Sequence, residues 1–113
     1  MPPAPTDTLT SNVMPVAAGA HVTAAVFLGR TPVLALGDGA VLFGGDAPRR
    51  VAAHPEGAIL VAAADRGRIV TGGDDGRVVS TGADGVAEDI GAEKGGWIDA
   101  VALHGSGAVA WAR

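Results

Sequence analysis

Residues 59–76 read ILVAAADRGRIVTGGDDG, and residues 22–39 carry a related stretch, VTAAVFLGRTPVLALGDG. The two copies lie 37 positions apart at both ends (59 − 22 and 76 − 39). A third copy, WIDAVALHGSGAVAWAR, opens at Trp97 with an offset of about 39 from the second. Repetition at a period of roughly 20 to 50 residues is typical of proteins that stack one supersecondary unit on the next. The sequence therefore predicts a repeat protein.

Each copy alternates short apolar runs with turns rich in Gly and Asp. Such turns supply the positive φ that tight hairpins require, and glycine interrupts the apolar runs before a helical period is established. We therefore expect an all-β protein, in which the second copy forms a four-stranded antiparallel meander. The predicted strands are 22–28, 33–36, 40–43, 58–64, 69–71, 77–81, 98–103 and 108–111, with a further short strand over 86–90.

The apolar runs of each unit serve both faces of the predicted sheet, as in sheets that are covered above and below. Stacking one such sheet on the next buries both faces, and closing the stack into a ring removes the exposed ends. This is the architecture of a β-propeller. The sequence therefore favours a partial β-propeller over residues 16–113, with a first blade at about 21–51, a second at about 54–90 and an incomplete third at about 96–113.

The bulk composition restricts the class of protein. At 113 residues, with 48% hydrophobic but only 4% aromatic content, the chain suits one small domain with a core of small and β-branched side chains. The net charge of −4 and the scattered eight Lys and Arg residues argue against nucleic acid or an anionic membrane as a partner. The chain lacks cysteine and an apolar leader, so we expect a cytoplasmic protein. Residues 1–15, rich in Pro, Thr and Ser, are predicted to form a flexible tail.

The second unit, AHPEGAILVAAADRGRIVTGGDDGRVVSTGADG, resembles the WD-repeat β-propeller family. It has a His before the first strand, a small residue and Gly closing the second strand, and an Asp-Gly turn into the third. In that family a His, a Ser or Thr, an Asp and a Trp form a buried hydrogen-bond network. The resemblance assigns the first three of these roles to His54, Thr71 and Asp75, while the Trp position falls near Thr81.

The first unit carries fewer of the family's residues. His21 and Asp38 match the network, but Leu34 stands where the hydroxyl residue is expected. Residues 16–18 followed by His21 echo residues 51–53 before the second unit, so this segment is predicted to be the outermost strand of a blade whose inner strands lie elsewhere. One hypothesis is that the chain is the N-terminal part of a longer propeller. The alternative is that several copies of a short chain complete one ring.

The residues that point to chemistry are few. No metal-ligand spacing, phosphate-binding loop or nucleophile elbow occurs, so we expect no catalytic, cofactor-binding or metal-binding residues and no enzyme activity. Trp111 lies in an apolar run and is predicted to be core. Trp97 follows Glu93, Lys94 and two glycines at the start of a strand, and these three residues form a candidate partner surface. The alternative for Trp97 is a contact between blades.

The sequence thus favours a non-catalytic protein-interaction scaffold, whose partners are other proteins. Two alternatives stay open at this point. The first is a propeller enzyme or small-ligand binder whose site lies in blades that this chain does not contain. The second is a short chain that self-associates through unpaired blade edges to complete a ring.

Overall fold

The computed structural model describes residues 16–65 and 67–113, and the predicted tail over residues 1–15 lies outside them. The described part is all-β, which confirms the predicted class, and holds no helix that could span a membrane. Its strands are β1 (Val22–Leu28), β2 (Thr31–Leu36), β3 (Val41–Phe43), β4 (Arg49–Val51), β5 (Ile59–Ala64), β6 (Arg68–Gly73), β7 (Arg77–Gly82), β8 (Ala87–Ala92), β9 (Ala100–Leu103) and β10 (Val109–Ala112).

The strands form three antiparallel sheets in chain order. The first sheet is β1-β2-β3-β4, the second is β5-β6-β7-β8, and the third is the hairpin β9-β10. The predicted four-stranded meander of the second copy is therefore confirmed, and the first copy forms one as well. The outer strands of the two four-stranded sheets differ in length, since β3 and β4 have three residues each whereas β7 and β8 have six.

Several strand bounds shift by one or two residues, as in β2 and β6, which are longer than predicted, and residues 16–18, predicted to be a strand, do not form one. Two larger differences have a physical reason. The strand β4 has no apolar run, because it is Arg49-Arg50-Val51 on an exposed edge, yet its backbone pairs with β3. The strand β9 begins at Ala100 rather than at Ile98, because the Ile98 amide donates to the Gly73 carbonyl of the second sheet at 3.1 Å. The first feature depends on pairing with the adjacent strand β3, and the second on a carbonyl in the preceding sheet.

The second sheet lies between the other two and buries both of its faces. Ile69 and Val79 pack against the first sheet, whereas Val70 and Val78 pack against the third. The first strands of the three sheets also lie side by side, with β1 next to β5 and β5 next to β9. The core between the first and second sheets consists of Leu28, Val33, Ala35, Val41, Phe43, Ala53, Ile59, Ile69 and Val79.

The face of the first sheet that points away from the second is covered by the segment that precedes β1. Leu34, Leu36 and Leu42 are buried there, and Val16 and Ala18 pack against them together with Ala20. This cover explains why Leu34 can stand where the second copy has Thr71. An apolar side chain at this position meets an apolar segment.

Two glycines at equivalent turns hold the segments that connect the sheets. Gly39 and Gly76 have φ of +91° and +78°, and their carbonyls accept from the amides of His54 (2.9 Å) and Glu93 (2.7 Å). A Cβ on Gly76 would lie 2.4 Å from the Glu93 carbonyl oxygen, and one on Gly39 would lie 2.0 Å from that of His54. Only glycine combines this backbone conformation with such a close approach.

Replacing Gly76 by Ala should therefore destabilise the protein more than the same change at a glycine with open surroundings. Gly29 is the matched control, because its φ is +61° and no heavy atom would lie within 4 Å of an added Cβ. We expect Gly29→Ala to lower the free energy of unfolding by about 1 kcal/mol through φ alone, and Gly76→Ala to lower it by about 3 kcal/mol. Urea unfolding measures both, and equal losses would contradict the role assigned to the connecting segment.

Candidate functional site

Two connecting segments enter the second and third sheets with the same backbone turn. The second connector, residues 54–58, precedes β5, and the third connector, residues 93–97, precedes β9. In the second, the Gly57 amide donates to the His54 carbonyl at 3.2 Å, and in the third the Gly96 amide donates to the Glu93 carbonyl at 3.3 Å. The two connectors therefore align residue by residue with an offset of 39 (93 − 54).

The second connector places His54 in a buried hydrogen-bond network. Its Nδ1 lies 3.1 Å from both carboxylate oxygens of Asp75, and its Nε2 lies 2.8 Å from Thr71 Oγ1. Both His54 and Thr71 are fully buried. Because an ionised carboxylate only accepts hydrogen bonds, Nδ1 donates to Asp75. Nε2 is hydrogen-bonded to the Thr71 hydroxyl, which also lies 3.4 Å from the Val79 carbonyl oxygen. Three of the five residues predicted for the network are thus brought together in the second copy.

The position that the resemblance assigns to the family's Trp is occupied by a buried Thr81. Its hydroxyl has no hydrogen-bond partner within the described residues, whereas Thr71 uses its hydroxyl on His54. Both side chains are completely shielded from solvent. The two threonines are therefore opposite cases, since one satisfies a buried polar ring and the other leaves a buried oxygen without a partner.

In the first copy, the structure places His21 and Asp38 apart from any such network. The Gly37 amide donates to the His21 carbonyl at 2.7 Å, just as the Asp74 amide donates to the Ala58 carbonyl at 3.0 Å. His21 therefore occupies the position of Ala58 rather than that of His54, and its side chain is exposed.

Asp38 has its own partners in the first sheet. Its Oδ1 accepts from the Ala40 amide at 3.0 Å, and its Oδ2 forms an ion pair with Arg50. The backbone half of this arrangement recurs in the second copy, where Asp75 Oδ1 accepts from the Arg77 amide at 3.0 Å. Asp38 and Asp75 thus share a turn but have different side-chain partners, because only Asp75 has a histidine beside it.

The third connector reproduces the contact of the second with different chemistry. Trp111 pairs with Val101 in the third sheet as Thr71 pairs with Ala62 in the second, and Trp111 Nε1 donates to Glu93 Oε2 at 3.0 Å. The Glu93–Trp111 pair therefore stands where the second copy has His54 and Thr71. When the two connectors are aligned at an offset of 39, Glu93 aligns with His54. This alignment is the sequence signal that could have revealed the Glu93–Trp111 pair.

Trp111, predicted to be core, is half-buried and packs against the core from its edge. The ring lies on β8, where a Cβ on Gly91 would come within 2.4 Å of Trp111 Cζ2, and it packs with Val70, Val78 and Ile98. Glu93 is half-buried because its carboxylate is directed to this ring. Of the three residues predicted as a partner surface, Glu93 therefore faces inward, while Lys94 and Trp97 are exposed.

Trp97 is the most unusual residue of the third connector. It is 60% exposed, and the equivalent position of the second connector holds Ala58. The next residue is buried in both copies, as Ile98 and as Ile59. An alanine thus suffices for this turn, and the exposed indole is not required by the fold.

Trp97 borders a groove between the second and third sheets with a volume of about 590 Å³. The Asp-Gly turn of the second sheet forms one side, and Gly95, Gly96 and Trp97 form the other. Asp74 is exposed there, and its Oδ1 accepts from the Ala58 amide at 2.9 Å. Arg113 also lines the groove, and its Nη1 donates to the Lys94 carbonyl at 3.3 Å.

The charged side chains near the groove differ in whether they are paired. Arg77, at the start of β7, is paired with Asp89, and the hydrogen bond from that pairing raises the pKa of the Arg77 guanidinium. Glu56 in the second connector and Asp99 after the third are exposed carboxylates. Within residues 16–65 and 67–113, no three His, Asp or Glu side chains converge as metal ligands.

Comparison of the chain with protein-family models, with curated proteins and with solved structures gave no match.

The two buried threonines provide a matched pair of substitutions by valine, which conserves shape. We expect Thr71→Val to lower the free energy of unfolding by about 1 to 3 kcal/mol, because His54 Nε2 loses its partner in a buried site. Thr81→Val should leave stability unchanged or raise it by about 1 kcal/mol, because it removes an unpartnered hydroxyl. Urea unfolding at neutral pH measures both, and equal losses from the two variants would contradict the network.

The Glu93–Trp111 contact can be tested by a substitution that keeps the acceptor and one that removes it. Glu93→Gln retains an oxygen that can accept from the indole, whereas Glu93→Ala does not. We expect Glu93→Ala alone to move the Trp111 indole N–H resonance and to lower stability by about 1 kcal/mol. Glu88→Ala, at an exposed position in β8, controls for the loss of one negative charge. A Trp111 resonance that stays in place in Glu93→Ala would refute the contact.

Proposed function

We propose that the chain is a β-propeller segment of the WD-repeat type that acts as a non-catalytic protein-interaction scaffold. The observation that supports this most directly is Trp97, whose indole is 60% exposed beside a groove. The equivalent residue of the second connector is Ala58, so the fold has no need for a large ring here. Exposed tryptophan on a rigid framework is the residue type that carries much of the binding energy in protein interfaces.

The arrangement of the sheets supports the propeller part of the proposal. Successive antiparallel meanders stack face to face, and their first strands lie side by side, as the inner strands of neighbouring blades do. The connectors and Asp-Gly turns then emerge at one end of the stack, where they form a continuous surface. A binding surface built from loops on a rigid sheet framework is typical of scaffold proteins.

The state of the buried histidine supports the absence of catalysis. Among the described residues, His54 is the one fully buried imidazole, and both of its ring nitrogens are used by Asp75 and Thr71. A general base needs a nitrogen within reach of the substrate. His54 offers neither a free nitrogen nor an exposed edge, so its role in this proposal is to hold the second connector in place.

Removing the Trp97 indole should abolish partner binding without unfolding the protein. Val86→Ala is the matched control, because Val86 is 63% exposed in the turn between β7 and β8. We expect Trp97→Ala and Val86→Ala to unfold within about 0.5 kcal/mol of the native chain, since both side chains are at the surface.

The readout is protein retained by the immobilised chain from an extract of the cells that express it, compared by quantitative mass spectrometry. A scaffold that uses Trp97 retains the same proteins in its native form and as Val86→Ala, and loses at least one of them as Trp97→Ala. Identical retention on all three forms would refute the proposed function.

A further inference from the structure

We infer that the groove beside Trp97 receives a cationic side chain, Lys or Arg, from an extended segment of the partner. This inference rests on the proposed function and specifies the partner's chemistry at that site. It draws on three features of the groove, which are an uncovered aromatic ring, an unneutralised carboxylate beside it, and a wall of glycines that leaves room for a side chain.

The ring of Trp97 is free to receive a cation. In the part of the chain that the structure describes, the one guanidinium that lies over an aromatic ring is that of Arg49, 5.3 Å from the centroid of Phe43. Trp97 is thus largely exposed, and no cation of the described residues lies over its ring. Among aromatic side chains, tryptophan attracts a cation most strongly, and a guanidinium stacks on it better than an ammonium does.

Asp74 supplies negative charge on the opposite side of the groove. Its Oδ1 is held by the Ala58 amide, so the carboxylate has a fixed position. The ion pairs found among the described residues involve Asp38, Asp65, Asp75 and Asp89, and not Asp74. The exposed Glu56, in the second connector, adds a second negative charge. An incoming cation therefore gains both a ring and a counter-charge.

Arg113 is the cation that could compete for this site. Its guanidinium donates to the Lys94 carbonyl, and the same group lies against Gly96, where an added Cβ would be 3.3 Å from its Nη1. Arg113 is therefore engaged with the glycine wall, and forms neither an ion pair with Asp74 nor a stack on Trp97. Its positive charge should oppose the binding of another cation, which gives the proposal a charge-dependent test.

The site should act as one anchor within a larger interface. A single cation–π contact with one exposed ion pair is weak on its own, so an isolated side chain should bind only in the millimolar range. A partner segment that places its Arg or Lys in the groove would add contacts along the connectors. The chemistry of the anchor can nevertheless be measured with a short peptide.

The experiment follows the two indole N–H resonances of the ¹⁵N-labelled chain during titration with acetyl-Gly-Arg-Gly-amide. The control peptide is acetyl-Gly-Glu-Gly-amide, and Trp111, which is half-buried against the core, serves as an internal reference. We expect the arginine peptide to shift the Trp97 resonance in a saturable manner and to leave the Trp111 resonance in place. The glutamate peptide should not produce the same shift of Trp97. No shift of Trp97 up to tens of millimolar, or an equal response to both peptides, would overturn the inference.

Two variants test the sign of the charge effect. Asp74→Asn should weaken binding of the arginine peptide about threefold or more, and Arg113→Gln should leave it unchanged or strengthen it. Tighter binding of the arginine peptide by Asp74→Asn, or weaker binding by Arg113→Gln, would overturn the inference. Its failure is also distinguishable from failure of the proposed function. Loss of the peptide response with Trp97-dependent capture intact refutes only the cationic anchor, whereas capture that is indifferent to Trp97→Ala refutes the scaffold itself.

Discussion

Burial of the second sheet on both faces is the constraint on which the rest of the structure depends. Burial of apolar surface holds the three sheets together, and here the packing is made by Val, Ile, Leu and Ala with few large rings. Small side chains bring the backbones close to their neighbours. Gly72 therefore lies under Ile98, where a Cβ would be 2.4 Å from Ile98 Cγ2, and Gly91 lies under Trp111. The sheets can therefore approach each other closely because glycine lies at the contact points.

The same contact between a connector and the second strand of a sheet occurs with three chemistries. In the first sheet it is apolar, with Leu34 covered by the preceding segment. In the second it is the His54–Thr71 hydrogen bond, and in the third it is the Glu93–Trp111 hydrogen bond. The repeat therefore conserves the geometry of this contact within the chain but not its residue types. A hydrogen-bonded pair and a packed apolar pair both satisfy a buried site, provided that no polar atom is left alone.

The connectors separate structural from functional residues. Positions that carry the turn are small or buried in both copies, such as Gly57 and Gly96 or Ile59 and Ile98. Trp97 departs from this rule, because its exposed ring lies where the other copy has a methyl group. An exposed apolar side chain that the turn does not require is an indication of binding.

The sequence by itself determined the class of fold. The repeat, the alternation of apolar runs and Gly-Asp turns, and the absence of helical period predicted antiparallel meanders, because hairpin formation depends on local turn chemistry and on strands that are neighbours in the chain. The prediction missed β4, whose Arg-rich sequence forms a strand only through its pairing with β3. It also placed His21 in the role of His54, because a shared residue type is visible in sequence whereas the backbone position is not.

Only the tertiary structure decided which side chains meet. Glu93 and Trp111 are 18 residues apart, and their hydrogen bond exists because the connector and β10 converge. Likewise, the groove beside Trp97 is formed by the Asp74 turn and the third connector, which the stacking of two sheets brings together. Local sequence governs turns and strands because their interactions are short in range. The network and the groove depend on contacts between sheets, and those follow from packing that no single segment encodes.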